Sequence, residues 1–328
     1  MTLEPLVGAQ LAVGIPGAEP AAHVIAHLRR IHARHLVVFA RNFTHPEQFR
    51  SWLRAIEAGV GRRLIVMVDQ EGGRVVRLRE GVTVFPSARE MAQRGEGAVR
   101  EQGKTEAREL TELRVGLNLA PCADVVVEGS DPIVGDRSYG ADPAKAATLA
   151  CARIRALQSG GVGACAKHFP GLGAVPRDPH KALPTVSLDE AALERHLLPF
   201  QEAVAADVMA IMSSHVCYPA WEEKNTPATF SARLIRGLLR ERLRFSGLIL
   251  TDDMEMGALR GYGSVGECAV RAVAAGHDIV LICSDLDAQQ EAFQALMQAY
   301  AREEISFRQL EATVRRVESF LKKYTPTS

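Results

Sequence analysis

Polar side chains end several apolar stretches of this sequence, and their types are those that carry out chemistry. They are Asp69 at the end of LIVMVD, Lys167 and His168 at the end of GACAKH, His215 after IMSS, and Asp252 and Asp253 at the end of LILTDD. Carboxylates, imidazoles and amines transfer protons, attack carbon centres and bind polar ligands. Because burying an unpaired charge costs several kcal/mol, packing alone does not explain this placement. The pattern predicts a polar pocket where these stretches end.

Each of these residues taken singly has a simpler interpretation. A charged side chain at a strand end also caps a helix or reaches solvent. Asp252 and Asp253 are neighbours, so their side chains point to opposite faces of a strand, and we expect only one of them to face the pocket. His180 follows Asp178 by two residues in a polar loop, where the two form either a solvated pair or part of the site.

Apolar stretches and amphipathic segments alternate eight times along the chain. The predicted strands are residues 7–14, 35–40, 64–69, 116–121, 163–168, 208–213, 247–252 and 278–283. The predicted helices are residues 21–31, 46–58, 99–113, 143–158, 188–206, 231–243, 265–275 and 287–301. A final amphipathic segment, 306–323, predicts an extra helix packed outside the ring. Such alternation is typical of parallel strands covered by helices.

Eight repeats of one strand–helix unit predict an α/β fold, a single-domain (β/α)8 TIM-type barrel over residues 1–328 with an extra C-terminal helix. The alternative is an open doubly wound sheet, which commonly carries a glycine-rich fingerprint after its first strand. The GIPG segment at 14–17 is too short for that fingerprint. Residues 81–86 and 171–184 follow predicted strands and precede helices, which is where barrel enzymes build their sites.

The composition restricts the class of ligand and the compartment. The 328 residues include 39 basic and 39 acidic side chains, so no broad field attracts nucleic acid or an anionic membrane, and we expect a small ligand. The six cysteines form no C-x-x-C pair, the start lacks the basic region of an export signal, and no apolar run approaches the roughly 20 residues of a membrane span. We therefore expect reduced thiols and a cytoplasmic protein. The oligomeric state is not indicated.

Two other kinds of site fit the residues less well. Groups that bind metals occur at His168, Asp178, His180 and His215. The sequence has no helical ligand spacing such as H-E-x-x-H, and we expect no metal and no cofactor. Ser213 and Ser214 beside His215 suggest a serine hydrolase, but the G-x-S-x-G motif of a nucleophile elbow is absent.

Five motifs occur in the order found in glycoside hydrolase family three. They are VDQEGGRVVRL at 68–78, GDRSYG at 135–140, KHFPG at 167–171, DPHKALP at 178–184 and TDDMEMGAL at 251–259. Together they make the chain resemble that family, and most closely its compact bacterial β-N-acetylglucosaminidases of peptidoglycan recycling. The resemblance extends from the first predicted strand through the eighth. KHFPG is specific by itself, whereas an isolated pair of aspartates is not.

The resemblance implies a retaining glycoside hydrolase that needs no cofactor. The family's nucleophile is the first aspartate after the seventh strand, which corresponds to Asp252, with Asp253 as second choice. Its carboxylate forms a covalent glycosyl-enzyme that water then hydrolyses with net retention. In this branch the acid/base is a histidine with a nearby aspartate on the loop after the fifth strand, which corresponds to His180 and Asp178.

The same resemblance implies which residues bind the sugar. Contacts to its hydroxyls correspond to Asp69, Arg77, Arg137, Lys167 and His168. A carboxylate accepts hydrogen bonds from hydroxyls while cationic groups donate to them, and such charged hydrogen bonds are stronger than neutral ones. The alternative for the same charges is an ion-pair network that only stiffens the mouth of the barrel.

Two departures from the family pattern fall on the acid/base loop. KHFPG is usually followed by His-Gly-Asp-Thr, but here by Leu172-Gly173-Ala174-Val175, and Pro179 stands where serine is usual. The loop thereby loses polar side chains, which changes its substrate contacts, its mobility or the acid/base geometry. Leu172 and Ala174 either pack the loop against the barrel or mark a different aglycone preference or a weakened enzyme.

The function implied is removal of terminal β-linked N-acetylglucosamine, an N-acetylhexosamine, from muropeptide-type fragments in the cytoplasm. One alternative keeps the covalent step but uses phosphate as the acceptor, because a histidine acid/base carries no fixed negative charge to repel it. Another is a barrel that binds a sugar without catalysis. A β-glucosidase is disfavoured by the KHFPG and DPH motifs, which resemble the hexosaminidase branch.

Overall fold

Eight parallel strands form a closed barrel in the computed structural model, which describes residues 2–222 and 226–324. The strands are β1 (Leu11–Gly14), β2 (His35–Val38), β3 (Ile65–Val68), β4 (Val115–Asn118), β5 (Gly163–Phe169), β6 (Ala210–Ser213), β7 (Leu248–Asp253) and β8 (Ile279–Ile282). Each strand pairs with the next along the chain, and β8 returns to β1 with Val280 opposite Leu11. The predicted closed barrel is confirmed, and the open sheet is excluded.

Helices precede, connect and follow the strands of the barrel. They are α1 (Leu3–Gly8), α2 (Ala22–Arg30), α3 (Pro46–Val60), α4 (Ala88–Arg94), α5 (Glu96–Glu112), α6 (Pro143–Ser159), α7 (Glu190–Ala205), α8 (Val265–Ala275), α9 (Leu286–Ala301) and α10 (Phe307–Tyr324). A π-helical segment, Arg233–Arg242, lies between β6 and β7. Side chains cap several starts: Asp142 accepts from the Ala144 amide at α6, and Ser264 forms a capping box with Glu267 at α8.

The beginning of the chain differs from the prediction. The strand predicted at 7–14 begins only at Leu11, and Leu3–Gly8 is a short helix. This helix packs closely, since a Cβ at Gly8 would lie 2.3 Å from the carbonyl oxygen of His32. Val7 is buried while Leu3 and Leu6 are half-buried against the core, and an apolar run this short shows no helical period, so it was predicted as strand.

Helix α10 lies across the amino-terminal end of the barrel and not outside the ring as predicted. Phe320 and Tyr324 belong to the same apolar cluster as the lumen residue Met67. A Cβ at Gly163, the first residue of β5, would lie 2.9 Å from the Phe320 ring. The apolar lumen is thereby covered at this end, because open apolar surface would otherwise face water.

All six cysteines are free and buried. Burial raises the pKa of the Cys165 thiol to about 12, so this group stays protonated and unreactive. Within residues 2–222 and 226–324, no helix combines the length and the apolar character needed to cross a bilayer.

A buried ion pair between α5 and α6 supports the segment that follows β3. Arg153 is 1% exposed and donates to both carboxylate oxygens of Glu106 at 2.7 and 3.0 Å. The same guanidinium donates to the carbonyl oxygen of Gln70 at 2.8 Å. Burial raises the pKa of Glu106, and Arg153 opposes that effect. The pair therefore holds the Gln70 backbone in place from outside the barrel.

We expect Arg153→Met to lower the free energy of unfolding by about 3–5 kcal/mol, because it leaves the Glu106 carboxylate buried and unpaired. Urea unfolding followed by circular dichroism measures the change. Adding Glu106→Gln should recover a large part of the loss, since the buried charge is then gone. Arg155→Met, on an exposed position of the same helix, is the control and should change stability by less than about 0.5 kcal/mol. Equal losses in the Arg153 and Arg155 variants would contradict this role.

Candidate active site

A pocket of about 390 Å³ opens at the carboxyl ends of the barrel strands. Seven of the eight side chains that the family resemblance implies for catalysis and sugar binding border it: Asp69, Arg77, Arg137, Lys167, His168, His180 and Asp252. The eighth, Asp178, is hydrogen-bonded to His180 at 2.8 Å. The polar pocket predicted from the sequence is therefore present, and it gathers the predicted residues.

Strand alternation explains why these charges face the pocket. Along three strands, an apolar side chain that fills the lumen is followed two residues later by a charged one that borders the pocket. The pairs are Met67 and Asp69, Cys165 and Lys167, and Leu250 and Asp252. Residues two apart in a strand share a face, so the apolar layers of the lumen end in a polar layer at the mouth.

Asp253 borders the pocket as well, although the sequence predicted that only one aspartate of the pair would. The pairing of β7 with β8 shifts register, since Leu250 lies opposite Ile279 but Asp253 lies opposite Leu281. Strict alternation fails across such an irregularity. Position alone therefore does not separate the two aspartates.

Four charged side chains, two of them buried and two partly buried, form a network in one wall of the pocket. Lys167 is 2% exposed, and its Nζ donates to Asp69 Oδ1 and to Glu71 Oε1, both at 2.7 Å. Arg137 donates to both oxygens of Glu71 at 2.8 and 2.9 Å. Although burial raises the pKa of Glu71, the two cations hold it well below its ordinary value. The wall thus carries charges that are paired among themselves and still border the cavity.

A hairpin of the strands Gln70–Gly72 and Val75–Val76 carries Glu71 of this network. The Gln70 side chain cross-links it, accepting from the Arg77 and Leu78 amides and donating to the Leu78 carbonyl. Gly72 has φ +106°, and a Cβ there would lie 2.5 Å from the carbonyl oxygen of Pro86. The hairpin is therefore held rigidly while it presents Glu71 to the pocket.

The two aspartates of β7 differ in their electrostatic surroundings. Burial raises the pKa of Asp252, but the nearby His168, then His215, and the Asp253 amide that donates to it at 2.9 Å bring its pKa below 3.8. Burial raises the pKa of Asp253 to about 7, and the charges of Glu255 and Asp252 add to this effect. Near neutral pH, Asp252 is thus an ionised carboxylate, whereas Asp253 is partly protonated.

His168 is oriented by a carboxylate that the sequence did not single out. Asp124 is fully buried and accepts from His168 Nδ1 at 2.7 Å and from its backbone amide. The other ring nitrogen, Nε2, lies 3.4 Å from Arg137 Nη2. Asp124 also accepts from the Leu172 amide at 2.6 Å. One carboxylate therefore orients the imidazole and also holds the first residues of the loop after β5 in place.

His180 and Asp178 form a compact turn at the pocket edge. Asp178 Oδ1 accepts from the backbone amide and from Nδ1 of His180, each at 2.8 Å. Burial opposes ionisation of Asp178, but these hydrogen bonds bring its pKa below the ordinary value. The His180 side chain is 59% exposed. Its Nε2 is thus left for a partner in the pocket while Asp178 orients the ring.

The altered residues of the same loop pack against the protein. Leu172 is 3% exposed and Val175 is fully buried. Ala174 packs on the edge of the hydrophobic core. Of the alternatives drawn from the sequence, packing of the loop against the barrel is confirmed.

The serines and the possible metal ligands make the following contacts. Ser213 is hydrogen-bonded to His277, and Ser214 to Tyr218, while His215 contacts Thr229 and the Asp253 carbonyl. Among the described residues, the one group of potential metal ligands within 4.8 Å of each other is Cys122, Asp124 and His168. Within this group, His168 Nδ1 and Cys122 Sγ both donate hydrogen bonds to Asp124, at 2.7 and 3.2 Å.

Glu71 and Asp124 were not singled out from the sequence. Glu71 stands two residues after Asp69 in VDQEGGRVVRL, so strand alternation predicts that it lies on the same face as Asp69. Asp124 follows the fourth strand after an apolar segment, but it contacts His168 only because β4 and β5 are neighbours in the barrel. No sequence signal marks such a contact.

Known proteins resemble this chain over most of its length. The glycosyl hydrolase family 3 N terminal domain matches residues 7–320. A β-hexosaminidase of Nitrosomonas eutropha is 36% identical over 269 residues, covering 80% of this chain and 76% of that protein. A β-hexosaminidase of Pseudomonas aeruginosa is 37% identical over 264 residues, 80% of this chain and 78% of that protein.

Solved structures of family 3 enzymes are also similar to this chain. A family 3 β-N-acetylglucosaminidase of Paenibacillus sp. superposes with a TM-score of 0.95 at 34% identity, covering 100% of this chain and 64% of that one, so this chain spans less than two thirds of that protein. NagZ of Neisseria gonorrhoeae was solved in complex with N-trifluoroacetyl-D-glucosamine. It superposes with a TM-score of 0.78 at 28% identity, covering 94% of this chain and 97% of that one. The chain therefore belongs to glycosyl hydrolase family 3.

Proposed function

We propose that this chain is a retaining exo-β-N-acetylglucosaminidase. The observation that carries the proposal is the pairing, across one pocket, of an ionised carboxylate at Asp252 with an imidazole at His180 that Asp178 orients. A retaining glycosidase needs a nucleophile and a proton donor on opposite sides of the glycosidic bond. The names of the relatives, β-hexosaminidase and β-N-acetylglucosaminidase, support the same activity.

In the proposed reaction, Asp252 attacks the anomeric carbon of the terminal sugar. The bond to the leaving oxygen breaks as the His180 imidazolium, stabilised by the Asp178 carboxylate, gives that oxygen its Nε2 proton and becomes a neutral imidazole. Water then attacks the glycosyl-enzyme and passes a proton to the neutral imidazole, which frees the sugar and the carboxylate. Two displacements at one carbon give net retention.

We assign sugar binding to the charged wall of the pocket. Asp69 would accept hydrogen bonds from hydroxyls, while Lys167 and Arg137 would donate to them. His168 and Arg77 would contribute further contacts. Glu71 is added to this set as the residue that keeps both Lys167 and Arg137 charged and oriented.

We further propose a cytoplasmic role on muropeptide-type fragments that carry N-acetylglucosamine. The free, buried cysteines agree with a reducing compartment. The catalytic unit would extend over residues 1–328, of which 1, 223–225 and 325–328 lie outside the described residues. Every step uses side chains and water alone, and no metal or cofactor enters.

Asp252→Asn should lower kcat for 4-nitrophenyl N-acetyl-β-D-glucosaminide by about 10⁴-fold or more, because no carboxylate remains to form the glycosyl-enzyme. A 5-fluoro N-acetylglucosaminyl fluoride should leave its adduct on the peptide containing residue 252, as found by mass spectrometry. Asp253→Asn is the matched control and should retain far more activity. An adduct on any other residue, or full turnover by Asp252→Asn, would refute the assignment.

His180→Ala should lower kcat/KM by about 10²–10⁴-fold for an alkyl β-N-acetylglucosaminide, whose leaving oxygen needs a proton. The kcat/KM for a 2,4-dinitrophenyl glycoside should fall little, because its dinitrophenolate leaves without a proton. Added azide should yield the β-glycosyl azide from the variant, since the small anion replaces water that lacks a base. Equal losses on both substrates would contradict the acid/base role.

Sugar 1-phosphate as the main product of the unaltered enzyme in phosphate would instead identify a phosphorylase.

The pKa of Asp253 predicts a pH-dependent stability. Its folded-state pKa of about 7 exceeds 3.8, so the group favours the folded state below pH 3.8 and loses that contribution as pH rises to 7. Asp253→Asn should therefore gain stability relative to the unaltered protein between pH 4 and 8, by about 4 kcal/mol at most. Urea unfolding at four pH values measures this. The pKa of Asp252 is lowered instead, so Asp252→Asn should lose stability relative to the unaltered protein as the pH rises toward 4. A pH-independent difference for Asp253→Asn would contradict the prediction.

A further inference from the structure

The loop that carries His180 rests on the segment that follows the strand of Asp252. The Gly257 amide donates to the carbonyl oxygen of His180 at 3.2 Å, and the Ala258 amide donates to that of Pro179 at 3.0 Å. Gly257 begins a short 3-10 turn, Gly257–Leu259, in the connection that leaves β7 at Asp253. The backbone of the acid/base loop and the backbone that leads from the nucleophile are thus in direct contact.

This contact leaves no room for a side chain at Gly257. A Cβ there would lie 2.4 Å from the carbonyl oxygen of His180 and 3.1 Å from that of Lys181, both of them backbone atoms. The backbone of Gly257 does not adopt a left-handed conformation. Glycine is therefore required here for close approach and not for an unusual φ.

The two ends of the loop are fastened to other neighbours. At the start, the Val127 amide donates to the Gly173 carbonyl at 3.0 Å, and the Asp131 amide to that of Val175 at 2.8 Å. At the end, the Cys217 amide donates to the Pro184 carbonyl at 3.0 Å. Between these anchors, the turn that holds His180 is supported from the β7 side by Gly257 and Ala258.

We propose that Gly257 is a positioning residue that sets the distance between the His180 imidazole and the substrate bound at Asp252. This rests on the proposed function, in which these two groups act on opposite sides of one bond. A general acid must come within about 2.6–3.2 Å of its oxygen, and a displacement of 1 Å costs about 10²-fold in rate. One short connection, from Asp252 to Gly257, therefore fixes the nucleophile and supports the acid/base together.

The test compares Gly257→Ala with Gly261→Ala in the full chain. Gly261 lies in the same connection and has open space where its Cβ would stand, so it is the matched control. We expect Gly257→Ala to lower kcat/KM by about 10²-fold for an alkyl β-N-acetylglucosaminide and by no more than about threefold for the 2,4-dinitrophenyl glycoside. Gly261→Ala should resemble the unaltered protein on both substrates.

A double variant separates positioning from general damage. If Gly257 acts through His180, adding Gly257→Ala to His180→Ala should cost little more, because the group it positions is already absent. Equal losses on both substrates, or full additivity in the double variant, would overturn the proposal. Ala258→Pro, which removes the second donor without adding a side chain at Gly257, should give the same preference for the better leaving group, and a uniform loss would count against the proposal.

Hydrogen exchange gives a readout besides activity. Peptides covering residues 171–184 should exchange faster in Gly257→Ala than in the unaltered protein, and at an unaltered rate in Gly261→Ala. Unchanged exchange in Gly257→Ala would overturn the contact whatever the activity. If the unaltered protein cleaves neither substrate, the proposed function falls and the catalytic role of His180 falls with it. If the unaltered protein is active and Gly257→Ala shows no substrate-dependent loss, only the role of Gly257 falls.

Discussion

The pairing of buried charges at the mouth of the barrel is the interaction on which the site depends. A closed barrel fills its lumen with inward-facing side chains, and here the last inward layer includes Asp69, Lys167 and Asp252. Lys167 is 2% exposed and lies between two carboxylates, each 2.7 Å away. Removing one partner would leave an uncompensated charge, so the network is held in a single arrangement. A sugar would thus meet groups that are already oriented, and little ordering would be needed when it binds.

The same network extends outward through two layers of the fold. Glu71 comes from a hairpin that Gln70 cross-links, and Arg153 of α6 supports the Gln70 backbone from outside the barrel. On the other side, Asp124 joins His168 to the first residues of the acid/base loop. Helices, hairpin and loops therefore act as successive supports for a few oxygen and nitrogen atoms, as precise polar sites require.

The barrel and the strand-end residues of the candidate site were predictable from the sequence because both follow local rules, whereas Arg77, Arg137, Asp178 and His180 were indicated only by the family resemblance. Period-two alternation sets which residues face inward, and the helix starts at Pro143 and Val265 carry capping signals. What the sequence did not reveal depends on contacts between distant segments. Helix α10 was predicted, but its place beneath the lumen is set by Phe320 meeting β5, and the role of Asp124 is set by the neighbouring β4 and β5. Similarly, Asp252 and Asp253 differ less in position than in the charges that surround them.

The position of α10 also bears on how the chain folds as it is synthesised. β1 finds its second partner only when Val280 has emerged from the ribosome, and the ring cannot close before then. Phe320 and Tyr324 emerge later still, so the lower lumen stays open to water after all eight strands exist. Such distant pairings are slow to form, and partly assembled barrels expose apolar strand edges. During this interval a chaperone would meet a nearly complete ring with an uncovered apolar end.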